Sequence, residues 1–357
     1  MRKPASVAVL SVLLATIASG WQNPAPPADV GATAFQSYIE LLRQQAGIPG
    51  LSGVLIQKGT VVWERGLGFA EMDGRVPATP ITPYLIADLT QTLSAVLLLQ
   101  CVEQRRLSLD ELLRQYGVPL AESGLTLRQV MSHSSSAAAG GSFRYDPSRY
   151  AQLAAAVEHC APQPFRKSIA HRLLERLGMF DSVPGRDFEN GYAAPEGLFD
   201  PTALSRYARV LEDIAVPYRV DRRGRATRSD VPVDGINAAT GLVSTVRDLA
   251  RFDAALDSGV LLLDDTQAAA WSRTELPNGS TAPTGLGWFV QNYRGTKVVW
   301  HFGLIPNGYS ALFVKVPSRR VTMILLANSD GLAIPYQLDA GDVTRSPFAA
   351  LFLRMLL

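Results

Sequence analysis

The spacing of apolar residues changes period twice, dividing the chain into strand-like ends and a helical middle. Residues 51–57 and 60–65 are rich in β-formers and flank Lys58-Gly59, which predicts a hairpin. Strand character returns at 297–301, 308–316 and 320–328, with Asn307-Gly308 and Pro317-Ser318 as turns. Between these ends, residues 107–230 read as helix and loop. Thr126 caps a helix through Met131, and further helices are expected at 150–158, 164–177 and 202–216. Residues 66–83 read as loop, and 219–230 as a charged, exposed loop.

Three helices stand out by their faces. Residues 34–45 place Phe35, Tyr38, Ile39 and Leu42 on one side, and 347–357 do the same with Phe348, Leu351, Phe352 and Met355. From Asp88 to about Gln104, Leu89, Leu93, Val96, Leu97 and Gln100 recur at helical spacing while Leu98 and Leu99 fill the other faces. That helix is apolar nearly all round and should be buried, with Asp88 at its N-cap. The simplest architecture is a mixed α+β (α/β) fold: an antiparallel sheet from both chain ends, flanked by helices, with a mainly helical subdomain inserted.

The 357 residues are 47% hydrophobic and 18% charged, enough to bury a large core. A net charge of +2 gives no reason to expect nucleic acid as a partner. The N-terminus changes the picture more. Arg2 and Lys3 precede an apolar run from Ala5 to Ala18 and then Ser19-Gly20, the order of a secretory signal peptide and too short to span a bilayer. The expected organisation is a signal peptide at 1–20, a Pro/Ala linker at 21–34 and one domain at 35–357. The sheet part of that domain lies at about 35–85 and 235–357, the helical part at about 86–234. Localisation is then exported, periplasmic or extracellular, with no membrane span in the mature chain. Cys101 and Cys160 lie in helical patterns, where free thiols act as small buried hydrophobes; a disulfide is the alternative in an exported chain. No Cys-x-x-Cys or His-x-x-x-His spacing occurs, so neither metal nor cofactor is expected.

Several segments together resemble the serine β-lactamase-like hydrolases: class C β-lactamases, DD-peptidases and related esterases. Gly47-Ile48-Pro49-Gly50, a hairpin and Gly66-Leu67-Gly68-Phe69-Ala70 are similar to that family's opening. The stretches Leu125 to Ser135, Leu177-Gly178-Met179, Thr240 to Phe252 and His301-Phe302-Gly303 resemble its later landmarks in order. The resemblance covers roughly Phe35 to the C-terminus. It implies a β-lactamase/transpeptidase-like fold and a serine nucleophile opening the buried helix, with a lysine one turn later. It also implies a Tyr-x-Asn loop and a His/Lys-x-Gly strand. Backbone N–H groups of that strand and of the nucleophile residue would hold the oxyanion.

Set on that pattern, Asp88 stands at the nucleophile position and Gln91 at the lysine position. Tyr145 is kept but Pro147 replaces the asparagine, while His301 and Gly303 are kept. No Ser-x-x-Lys, Tyr-x-Asn or Gly-x-Ser-x-Gly exists anywhere in the chain, so the motif is absent rather than misplaced. Asp88 is read as a helix cap against a carboxylate nucleophile or base, and Gln91 as hydrogen-bonding into the vacated pocket. Tyr145 and His301 are each open between a pocket role and a structural one, and the resemblance implies that His133 fixes loop structure. No catalytic residue is assigned. The expected function is an exported pseudoenzyme that binds a small molecule, a cell-wall fragment or a partner. The alternatives are an ester or amide hydrolase using Tyr145 or Asp88, and an interaction protein whose pocket is filled.

Overall fold

The computed structural model describes residues 30–120, 122, 124–134, 142–190 and 197–357. The expected signal peptide, the linker up to residue 29 and Ser135 lie outside them. Seven strands form one antiparallel sheet: β1 (Gly50–Gln57), β2 (Thr60–Glu71), β3 (Val76–Pro77), β4 (Phe289–Tyr293), β5 (Thr296–Ile305), β6 (Tyr309–Val316) and β7 (Val321–Ala327). Their order is β3-β2-β1-β7-β6-β5-β4. Both chain ends therefore build the sheet, joined where Leu51 pairs with Ala327 through to Gln57 with Val321.

Local chemistry explains the register. Lys58 and Gly59 both take positive φ, 53° and 80°, the two-residue hairpin turn whose twist suits the flanking strands. Strand β2 runs on to Glu71 through what reads as loop in sequence. Its Gly66 is a site of close backbone approach, since a Cβ there would meet the Ala78 carbonyl oxygen at 1.9 Å.

Alternation in β6 sends Ala311 and Phe313 to one core and Leu312, Val314 and Val316 to the other. Helices α1 (Val30–Gln45) and the C-terminal helix (Pro347–Leu356) supply the second core, with Phe35, Ile39, Phe348 and Phe352 buried against Trp300. Two expected contacts differ. Tyr38 is 53% exposed, and Leu353 rather than Met355 completes the buried stripe of the C-terminal helix. Helix α1 also begins at Val30, inside the expected linker.

On the opposite face lies α2 (Thr90–Glu103), buried at every residue from Thr90 to Cys101, as a helix apolar all round should be. The helical middle follows, including Leu127–Met131, which Thr126 opens with a capping box completed by Gln129. The charged run contains a small hairpin, Tyr218–Val220 with Ala226–Arg228, where loop was expected. Cys101 of α2 and Cys160 are joined in a disulfide with Cα atoms 6.0 Å apart. That corrects the expectation of free buried thiols: helical spacing says where each cysteine faces, not that the two faces meet. No helix among the described residues is long and apolar enough to cross a membrane.

Candidate functional site

The turn before α2 sets the site. Ile86 N–H donates to the Leu242 carbonyl at 3.0 Å, extending the short pairing of Tyr84–Leu85 with Leu242–Ser244. Ala87 then turns at φ 51°, a left-handed conformation that a Cβ makes unfavourable. The Thr90 hydroxyl, donating to the Ala87 carbonyl at 2.7 Å, holds that turn. Ala87–Leu89 forms one 3-10 turn, so α2 starts at Thr90 with Leu89 as an N-cap that offers no side-chain bond. Asp88 is therefore not the helix cap that its spacing suggests, because the tight turn delays the helix by two residues.

Its carboxylate bonds elsewhere. Asp88 Oδ2 accepts from the Leu304 backbone N–H at 3.3 Å, the long end of such a bond. This donor sits on the strand just after His301-Phe302-Gly303. It is one of the two places from which the resemblance expects an oxyanion to be held, the other being the N–H at the nucleophile position. Gly303 permits the arrangement: a Cβ there would meet the Ile86 carbonyl oxygen at 2.0 Å, so only glycine lets β5 lie against the turn. Asp88 is 8% exposed. Burial pushes its carboxyl up to about 7, against the Leu304 N–H, which favours the charged form.

Gln91, one turn on, faces a different set of groups. Asp146 N–H donates to His133 Nδ1 at 3.1 Å, which leaves Nε2 as the N–H that donates to Gln91 Oε1 at 3.0 Å. Gln91 Nε2 then donates to the Tyr145 hydroxyl at 3.0 Å. The chain is neutral throughout. Burial, with His301 nearby, pulls His133 down to about 3. Burial first and the Asp88 charge second hold the Tyr145 phenol well above its usual value. His301, 1% exposed, is pulled down to about 4 by burial, and its Nδ1–H donates to the Phe302 carbonyl at 2.7 Å. A lysine at position 91 would have put a positive charge beside the phenol. An amide instead ties phenol and imidazole together without offering a base.

A cleft of about 660 Å³ opens beside Asp88, with apolar walls from Leu85, Pro147, Val231, Ile236, Leu304 and Ile305. Ser148, Asp234, Asn237 and Thr240 add polar groups. The structure thus divides the residues expected at the site. Asp88 and Pro147 line the cleft; Gln91, Tyr145, His133 and His301 form the hydrogen-bonded and aromatic wall behind it. Gly303 sets the backbone between them. Pro147 takes the first position of helix Pro147–Ala151, where its missing N–H is harmless, behind an Asp146 cap bonded to Arg149 N–H at 3.1 Å. The cleft consequently has no side-chain amide from that loop. Leu304, Asp234 and Asn237 were not singled out from sequence. Leu304 could have been, as the backbone donor following His301-Phe302-Gly303, whereas Asp234 and Asn237 sit in a loop without periodicity. Among the described residues no group of three or more His, Cys, Asp or Glu is placed to hold a metal ion.

Comparison with known proteins fits this geometry. The Beta-lactamase family model matches residues 35–342. Penicillin-binding protein 4* of Bacillus subtilis is 23% identical over 308 residues, covering 76% of this chain and 66% of its own length, so the chain spans just under two thirds of that relative. The octameric penicillin-binding protein homologue from Pyrococcus abyssi superposes with a TM-score of 0.72 at 22% identity, over 90% of this chain and 77% of that one. The D-amino acid amidase from Ochrobactrum anthropi gives 0.67 at 19% identity, over 92% and 98%. These two likenesses show the fold.

Proposed function

The chain belongs to the Beta-lactamase family, and from that premise we propose that it is an exported, catalytically inactive member whose cleft binds a small molecule or cell-wall fragment. The observation that carries this reading is the Asp88 carboxylate, seated on the Leu304 N–H. That donor would otherwise help hold the carbonyl oxygen of an ester or amide under attack. With an oxygen of the protein already there, a substrate carbonyl loses that donor, and Asp88 stands where the family's nucleophilic serine would be. Gln91 supports the same reading, since an amide cannot take up a proton near neutral pH. The disulfide supports export, because such bonds persist in oxidising compartments.

One observation favours the second reading, a hydrolase of altered chemistry. A carboxyl pushed up to about 7 has the proton affinity of a general base at neutral pH. Against it, the same carboxylate fills the Leu304 N–H, a donor that catalysis would need. The cleft itself counts against a filled pocket.

Purified protein incubated with a chromogenic cephalosporin and p-nitrophenyl esters tests the choice. The inactive reading expects no turnover above buffer and a thermal shift with peptidoglycan fragments. Turnover that disappears in Asp88→Ala or Tyr145→Phe would replace it with the second reading.

A further inference from the structure

The cleft's chemistry is lopsided. Its walls are largely apolar, and among the described residues that line it the ionisable side chains are Asp88, deep inside, and Asp234, exposed at the rim. No lysine or arginine is among them. The Arg166 guanidinium lies behind Gly235 in the wall, but it is already engaged by Asp187 at 2.5 Å. Asp88 is nine-tenths buried, and its hydrogen bond comes from the Leu304 backbone N–H, which stabilises a carboxylate without neutralising it. A buried carboxylate that opens on a cavity, with no cation among its partners, leaves room for an opposite charge brought from outside.

We infer that the cleft takes an organic ammonium carried on an apolar body, its charge paired with Asp88 and steered by Asp234, and that it discriminates against carboxylates. This rests on the reading of the cleft as a binding site and names the class of ligand. The apolar part packs on Leu85, Val231, Ile236 and Ile305 while N⁺–H groups donate to the Asp88 carboxylate. An anionic ligand would bring a second negative charge against Asp88 in a desolvated site. The titratable groups around Asp88 do not compensate it. Burial holds His133 and His301 neutral, and burial together with the Asp88 charge keeps the Tyr145 phenol protonated. Asp234 adds charge of the same sign.

Three probes of one shape separate the possibilities: 2-phenylethylammonium, 2-phenylethanol and 3-phenylpropionate, titrated calorimetrically into the full chain. At pH 8 the ammonium should bind about tenfold or more tightly than the alcohol, the scale of one hydrogen bond to a charged group, and the carboxylate should bind least. Lowering the pH to 5.5 should weaken only the ammonium, as Asp88 takes up its proton. Asp88→Asn, which keeps shape and acceptor, should remove most of the ammonium's advantage. The exposed Asp234→Asn should reduce it less and in a salt-dependent way. Equal or tighter binding of the alcohol or the carboxylate, or an ammonium affinity indifferent to both variants, overturns the charge assignment while leaving a binding cleft. Failure of all three probes to bind removes the cleft reading, and this inference with it.

Discussion

Two buried ionic sites in this fold are built to different rules. In the first, Lys315 of β6 is fully buried with its ammonium 2.8 Å from Asp253 and 2.7 Å from Asp257, both on the helix Val246–Asp257, and 3.2 Å from the Thr322 hydroxyl. Charge is met by charge inside the fold. In the second, Asp88 has the Leu304 backbone N–H and no cation, and an open cleft beside it. A chain able to pair a buried charge internally, as it does at Lys315, leaves Asp88 uncompensated where a ligand can reach. The first cluster closes on itself; the second is unfinished without something from solution.

The largest expected effect breaks the closed cluster. Lys315→Ala strands Asp253 beneath the sheet without its counter-charge and should lower stability by about 3–5 kcal/mol in urea unfolding. A loss below about 1 kcal/mol would mean the two clusters are not as different as their geometry says.

The open cluster should respond in the other direction. The native state holds the Asp88 proton up to about 7, while the unfolded chain releases it near 3.8. Between those values the native state binds more protons, so its stability falls as pH rises, and the full loss is present above about 7. Asp88→Asn removes that contribution. It should raise the melting temperature at pH 8, by an amount worth a few kcal/mol, and leave it nearly unchanged at pH 4. Asp248, also pushed up, to about 6, by burial, adds a slope of the same sign that this variant does not touch.

Smaller effects sharpen the picture of the wall behind the cleft. Gln91→Leu strands the His133 N–H and deprives the Tyr145 hydroxyl of its donor, and should cost about 1–3 kcal/mol. The subtlest change is chemical. Asp88→Ser combined with Gln91→Lys frees the Leu304 N–H and restores a nucleophile, and intact-mass measurement after exposure to a penicillin should then show a slow acyl adduct that neither single variant forms. Absence of that adduct would show that Pro147, or the wall itself, has also lost the catalytic geometry.

Much of this was legible in the sequence because it depends on periodicity. Runs of β-forming residues between turn signals placed β1, β6 and β7, and an all-round apolar pattern marked α2 as buried. The His301-Phe302-Gly303 segment pointed to the strand that carries Leu304. What was not legible depends on where separate segments meet. The Cys101–Cys160 bond requires two helices to face each other across 59 residues. Asp88 has the local look of a cap, and only the strained Ala87 turn, set by pairing with Leu242 far along the chain, moves it onto Leu304. The Tyr218–Val220 hairpin hides in a charged run because its side chains are largely solvated.

The central claim is that the Asp88 carboxylate sits on the Leu304 backbone donor at the head of the cleft, and the Leu304 amide reports on it directly. Followed by ¹H–¹⁵N correlation from about pH 4 to 9, the Leu304 resonance should shift with an inflection near 7, and that inflection should vanish in Asp88→Asn. A Leu304 amide that does not titrate, or that follows an ordinary aspartate near 4, would contradict it.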